Sequence, residues 1–487
     1  MNAALLIIAA SVVVALALGL RARSGQEMSL EQWAVGGRGF GTALVFLLMA
    51  GEIYTTFTFL GGSGWAYGKG GPAYYILCYS TLAYVISYWM LPPIWRFATE
   101  NRLYSQPDFF ARKYRSPALG VVVAVVGLIA LVPYMVLQLK GLGIIVATAS
   151  YGTIPSTVAV WIGVAVLTIY VMVSGVRGSA WTSVLKDAMI LVVVVFLGIY
   201  LPVHFYGGYG AMFTAIDTAH PGFLALPERG QSPAWFGSTV LLTAFGFYMW
   251  PHTFASLYTA REEGVFRRNA VILPIYQLIN LFVFFVGFAA ILQVPGLTGA
   301  AVDLSLFRVS IQAFPTWFVG VIGATGVLTA LVPGSMILMA GATLVANNLY
   351  RPARQAATEA EISRVARLMV PVLALVCVWF TLNGGDTIVA LLLMGYAFVT
   401  QLFPALILSL APRNPATAEG AIAGIVAGVA TVAVMTAYHL TLGGMFPGLP
   451  GVVQDLNVGI VAMALNVAVL AGVSALTTAR APVLQGR

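Results

Sequence analysis

A run of about 20 mostly apolar residues can cross a bilayer as a helix, and a soluble fold cannot hide many such runs. Thirteen of them fill this 487-residue chain: 3–20, 41–62, 74–97, 119–148, 157–175, 179–204, 236–258, 268–292, 316–349, 366–383, 387–411, 418–440 and 457–479. The fourth and ninth are long enough to tilt strongly or to continue past the membrane. Charged residues make up 8% of the chain, against about 25% in a soluble domain. A soluble enzyme, a disordered chain and a coiled coil are excluded. An all-α polytopic membrane protein with 13 transmembrane helices is expected, embedded in the lipid bilayer.

The connections between runs are short, the longest being 21–40, 205–235 and 350–365. No basic stretch precedes the first run, and Arg21 and Arg23 follow it, so it reads as a retained helix rather than a cleaved signal. Lys and Arg then divide unevenly among the loops, nineteen on one side against Lys69, Arg229 and Arg308 on the other. Cytoplasmic loops collect basic residues, which predicts a periplasmic N-terminus and a cytoplasmic C-terminus in a bacterial inner membrane. The net charge of +8 is accounted for by this topology, so no nucleic-acid partner is expected. Cys78 and Cys377 lie within apolar runs, and the four histidines are scattered, so neither a disulfide framework nor a metal site is expected.

Two runs are interrupted. The second carries Gly51-Glu52 and ends in Gly61-Gly62-Ser63-Gly64; the seventh carries Gly246 and then Pro251-His252. They lie five runs apart, so they cross the membrane in opposite senses. Paired interruptions of this kind point to the central site of a transporter built from inverted repeats.

Ionisable groups inside membrane helices are costly and mark function. Glu52 falls near the midplane beside Gly51. A break there frees backbone carbonyls, which can bind a cation or hold a protonated carboxyl, and Glu52 is the candidate proton carrier. Lys140 follows Gln138 and Pro133 in the fourth run, and either Glu52 or a substrate carboxylate would serve as its partner. Lys186 and Asp187 are adjacent in the sixth run. Neighbouring residues diverge by about 100° on a helix, so each is expected to find a different partner, as an interfacial charge. His252 is a candidate proton relay. Tyr54, Tyr134, Tyr248 and Trp250 add rings with polar tips for a small organic ligand. There is no phosphate-binding loop and no triad of catalytic side chains, so no enzyme and no cofactor are expected.

The chain resembles the sodium:solute symporter family. The likeness rests on Gly37-Arg38-Gly39, Gly61 to Tyr67, Gln106 to Tyr114, Tyr134 with Gln138, Ser174-Gly175 with Trp181-Thr182, Pro251-His252 and Asn348-Leu349-Tyr350. In order and spacing these cover roughly 35–410. The resemblance implies a LeuT-type core of five plus five inverted helices at 35–411, with repeats about 41–204 and 236–411. One helix precedes it (1–22) and two follow it (412–487). The stretches Gly51 to Thr58 and Trp181 to Asp187 are most similar to the bacterial monocarboxylate permease branch. That branch implies import of short acids such as lactate, pyruvate and propionate.

Two departures from the family bear on the coupling ion. Members that use sodium carry hydroxyl residues in the ninth run, where this chain reads Ala330-Leu331-Val332-Pro333-Gly334; a shift by one residue would bring in Ser335. Many relatives have Asp after Trp-Thr, where this chain has Ser183. With fewer oxygen ligands and an added Glu52, H+ is favoured as the coupling ion, and Na+ with Ser335 is the alternative. The expected substrate-binding set is Tyr54, Tyr134, Gln138, Lys140, Tyr248, Trp250 and His252. The expected ion-coupling set is Gly51, Glu52, Ser183, Pro333, Gly334 and Ser335. The partners expected are a small-molecule substrate and lipid, with no obligate protein partner. A nutrient sensor on a transporter scaffold is a weaker reading, because about eight residues follow the last run.

Overall fold

The computed structural model describes residues 2–23 and 35–478. Among them the chain is helical throughout, and the one β-type pairing is the isolated contact of Phe40 with Ala260. In chain order the first helices are α1 (Ala3–Arg23), α2 (Thr42–Ile53), α3 (Phe57–Lys69), α4 (Tyr75–Glu100), α5 (Gln106–Lys113) and α6 (Pro117–Ala149). Next come α7 (Ser156–Met172), α8 (Ser174–Tyr206), α9 (Tyr209–Ala219), α10 (Pro233–Gly246), α11 (Pro251–Ser256) and α12 (Gly264–Gln293). The last are α13 (Ser305–Ala313), α14 (Thr316–Ala353), α15 (Glu359–Asn383), α16 (Ile388–Ser409), α17 (Ala418–Ala437) and α18 (Val458–Thr478).

Nine of these are long and apolar enough to cross a membrane among the described residues, or ten if the bent pair α2–α3 forms one span. The other three expected runs are helical but fall short of that test for physical reasons. The run at 74–97 becomes α4, whose amphipathic sequence carries Pro92 and Pro93. The run at 157–175 becomes the shorter α7, which stops where Gly175 adopts φ 60° and ψ −174°, a backbone conformation that essentially only glycine tolerates. The run at 236–258 is cut between α10 and α11. The basic residues Arg480 and Arg487 lie outside the described residues.

Burial sorts the helices into a centre and a rim. The apolar window of α14 is 94% buried, whereas that of α1 is 22% and those of α15 and α18 are 28%. The rim helices turn Leu6, Val192, Trp379 and Leu476 outward. In lipid such exposure is the stable arrangement, since each helix satisfies its own backbone and needs no water. α14 packs on α1, α6, α8 and α15, while α2 lies against α8 and α12.

The loops assigned by their basic residues to one side converge on one end of the bundle. Phe40 N–H donates to Thr259 O (2.9 Å) and Arg261 N–H to Phe40 O (3.0 Å). Arg177 reaches Gly36 O, and Arg96 pairs with Glu263 at 2.7 Å. Here Ser105 caps α5 in a capping box with Asp108. Asp108 Oδ1 also accepts from Asn347 (3.1 Å) and Asn348 (2.7 Å) of α14. The opposite end is joined by Tyr67 donating to Val294 O (2.7 Å) and Gly71 N–H to Phe223 O (3.3 Å).

Candidate functional site

The bend between α2 and α3, 46° across Tyr54 to Thr56, sets the geometry. In an unbroken helix the carbonyls of Gly51, Glu52, Ile53 and Tyr54 would receive the amides four residues on. Threonine chemistry diverts that ladder. The amide of Thr55 turns to Ile53 O (2.8 Å), and that of Phe57 turns to Thr55 Oγ1 (3.0 Å). The four carbonyls find other donors. Thr58 Oγ1 donates to Ile53 O (2.8 Å) and the Tyr134 hydroxyl to Glu52 O (3.1 Å). Lys186 Nζ donates to both Gly51 O and Tyr54 O, each at 3.2 Å. Every carbonyl freed by the break is thus accounted for, as burial requires.

The second break faces the first. Trp250 is extended (φ −64°, ψ 132°), as the residue before a proline prefers, and Pro251 starts α11. The Met249 carbonyl left over accepts from Gln106 Nε2 at 2.7 Å. Tyr134 of α6 bridges the two breaks. Its hydroxyl is on Glu52 O, and its ring lies 4.8 Å from that of Trp250 and 5.2 Å from that of His252.

Around this junction lies a group of buried polar atoms with no hydrogen bond of good geometry among the described residues: both carboxyl oxygens of Glu52, Gln138 Nε2, the Tyr248 hydroxyl, Trp250 Nε1 and both ring nitrogens of His252. Hydroxyls stand near three of them, Ser87 beside Tyr248, Tyr396 beside Trp250, and Thr253 and Ser256 of α11 beside Glu52. Buried polar groups are paired in the great majority of cases, so a cluster of unpaired ones marks a site for something that supplies partners. A small cleft of about 30 Å³, enough for one water molecule, extends from His252 and Ser256 toward Tyr104 and Ser105 at the basic end.

The expected residues separate into those at the junction and those elsewhere. Tyr134, Gln138, Tyr248, Trp250, His252, Gly51 and Glu52 are at the junction. The Tyr54 carbonyl is there too, while its hydroxyl points away and donates to Tyr276 O at 2.8 Å. Gln138 Oε1 accepts from Thr56 Oγ1, which fixes the amide and leaves its N–H₂ free. Ser183 Oγ donates to Ser179 O (2.9 Å) and lies next to Gly51. Ser335 Oγ meets Ser179 Oγ at 2.7 Å. Gly334 faces Leu167 and Met135 instead, and Pro333 is buried within α14.

Lys140 is paired with Asp303 and not with Glu52. Its Nζ is 2.8 Å from Asp303 Oδ2 and donates to Asp386 O at 2.6 Å. Two residues beyond Gln138, it is turned about 200° around α6, onto another face. The reading of Lys186 and Asp187 as interfacial charges with separate partners also requires correction. Both are buried, and Lys186 Nζ lies 3.0 Å from Asp187 Oδ1. The flexible lysine stem curls back on its own neighbour, so the 100° divergence at Cα does not decide where the ammonium ends. Sequence reasoning missed Thr56, Asp303 and the role of Lys186. The available signal for the last was its position as a lysine inside an apolar run.

Two broken helices, a buried carboxyl group and uncommitted donors, within helices that turn apolar side chains outward, are features of a membrane transporter. The chain belongs to the sodium:solute symporter family, whose model matches residues 33–428. It is 62% identical to the uncharacterized symporter YhjB of Bacillus subtilis (strain 168) over 477 residues, 98% of each chain. It is 30% identical to a monocarboxylate transport permease protein of Rhizobium johnstonii, covering 93% of this chain and 92% of that one. Its fold is that of a Na+-coupled sialic acid symporter in a substrate-bound outward-open state, with a TM-score of 0.79, 15% identity and 98% of each chain covered. The protein is a multi-span membrane symporter for a small molecule.

Proposed function

We propose that the protein imports short monocarboxylates such as lactate, pyruvate or propionate together with protons. In this reading it has thirteen spans, with inverted repeats about 41–204 and 236–411, flanked by a helix at 1–22 and two at 412–487. It sits in a bacterial inner membrane with the N-terminus outside. The observation that carries the coupling is Glu52. Its carboxyl group is buried beside the α2–α3 break with no hydrogen bond of good geometry, and the hydroxyls of Thr253 and Ser256 stand next to it. Gln138 Nε2, Trp250 Nε1 and the Tyr248 hydroxyl would hold the substrate anion, with Tyr134 and His252 as its walls. Lys140, engaged with Asp303, serves the closure of one end. The Rhizobium permease supports the substrate class. One monoanion and one proton move inward together, so the step carries no net charge and a pH gradient drives it. Rocking of the broken helices against the remainder alternates access.

Purified protein in liposomes tests this with labelled pyruvate or lactate under separately imposed pH and sodium gradients. Accumulation should follow the pH gradient and persist when choline replaces sodium. Glu52→Gln should abolish gradient-driven accumulation while retaining exchange of external for internal substrate. Full accumulation by the variant would remove Glu52 from the mechanism. Strict sodium dependence would favour the second reading, in which Ser335, whose hydroxyl reaches α8 at Ser179, serves a sodium site.

A further inference from the structure

The coupling region contains a charge that the mechanism above does not use. Lys186 lies deep in α8 with no exposed surface, and its ammonium is inserted into the α2–α3 break. An ammonium has three N–H donors. Three oxygens surround this one: Gly51 O and Tyr54 O at 3.2 Å each, and Asp187 Oδ1 at 3.0 Å. Two of them are carbonyls released by the unwound helix, the groups that coordinate alkali cations in transporters with broken helices. The third brings a negative charge. A Cβ added to Gly51 would lie 3.0 Å from Nζ, so the glycine leaves just the room that the ammonium fills.

We propose that the Lys186 ammonium is a tethered cation. It occupies the place where the freed carbonyls of α2 would hold a free alkali ion, and this chain therefore binds no sodium at that place. Three oxygens matched to three donors leave no ligand over. A second positive charge at the same carbonyls would meet the ammonium at contact distance in a buried site, where repulsion is poorly screened. The surrounding charged and titratable groups are Asp187 on α8, Glu52 and Tyr54 on α2 and the bend, and Tyr276 on α12. A cation held by a covalent stem cannot leave with the substrate. It places a positive charge at the break without an exchangeable ion and leaves the driving ion to another group. This deepens the proposed function, since it rests on the α2–α3 break being the coupling region and explains why sodium would not be carried there.

The test uses the full-length protein in detergent and needs no substrate. Binding of ²²Na⁺ and thermal stability are measured across a sodium chloride series, with choline chloride keeping ionic strength constant. Wild type should show no saturable sodium binding and no sodium-specific change in melting temperature. Lys186→Ala removes the ammonium and leaves two carbonyls and Asp187 around a hole. It should gain saturable ²²Na⁺ binding and a melting temperature that rises with sodium and not with choline. Lys186→Met fills much of the hole with an apolar chain and should gain less of both. Saturable binding by wild type that persists in Ser335→Ala would overturn the proposal, as would a folded Lys186→Ala protein that binds no sodium. Should the Lys186→Ala variant not purify folded, wild type and Ser335→Ala decide: no binding, or binding lost with Ser335, supports the tethered cation, and binding that persists without Ser335 rejects it. Failure of pyruvate uptake would sink the substrate reading and leave this result standing. Sodium binding that does not depend on Ser335, alongside pH-driven uptake, would sink only the tethered cation.

Discussion

Gln138 uses its two ends differently. The oxygen accepts from Thr56 and so fixes the amide against the bend, while the nitrogen is buried with no hydrogen-bond partner among the described residues. A hydrogen bond to a charged partner contributes about 1.5–3 kcal/mol, so Gln138→Ala should raise the apparent KM for a monocarboxylate roughly 10-fold to 150-fold. Initial uptake rates over a substrate series measure this, and an unchanged KM would place the anion elsewhere. Gln138 and Glu52 were legible in the sequence because polar groups inside apolar runs demand a reason. Lys186 was not legible. Its place in the sixth run read as interfacial, whereas it is buried, and its direction depends on a four-carbon stem that reaches beyond its own helical face.

Between elements, Lys140 acts as a latch. It ties α6 to Asp303, just before α13, and to the carbonyl of Asp386, just before α16, while Asp303 Oδ2 also accepts the Ile388 amide at 3.0 Å. The Asp303 side chain is 1% exposed and that of Lys140 20%. Removing the partly exposed lysine leaves a buried carboxylate with one backbone donor. Lys140→Ala should therefore cost about 3 kcal/mol of stability, the lower end for breaking a buried pair. Lys140→Ala with Asp303→Ala should recover much of it, because the orphaned charge goes too. Melting curves of the two singles and the double give the coupling energy. A coupling near zero would mean that the contact is incidental. Sequence could place Lys140 in the fourth run, but its partner comes from a connection more than 150 residues away, where no periodicity operates.

At the scale of the whole molecule, the two ends are tied by different chemistry. The Lys140–Asp303 ion pair ties one, and the neutral amides of Asn347 and Asn348 meeting Asp108 tie the other. Partial burial pushes the Asp108 carboxyl up from its ordinary range, against the pull of its donors. The form with these contacts made therefore holds the proton more tightly than one in which they are broken and Asp108 is fully hydrated. That contribution favours the contacts at low pH and is lost as pH rises from about 4, where an exposed Asp titrates, through the raised value. Protection of residues 104–113 against hydrogen exchange, corrected for intrinsic rates, should fall across that range in wild type. In Asp108→Asn the same protection should be flat with pH. An identical pH profile in the variant would exclude Asp108 as the source.

What the sequence determined by itself is the set of features written along a single helix. The apolar runs, the glycine and proline interruptions of the second and seventh, the basic loops and the buried Glu52 all follow from neighbours close in the chain, where the cost of placing charge or free backbone in lipid acts directly. What only the tertiary structure decided is which donor meets which acceptor across helices. Lys186 rather than Lys140 is inserted into the break, Tyr134 rather than a backbone amide takes the Glu52 carbonyl, and Ser335 turns to Ser179. Those pairings depend on the rotation and depth of each helix against the others. They are fixed by packing around α14, and no local pattern of residues encodes them.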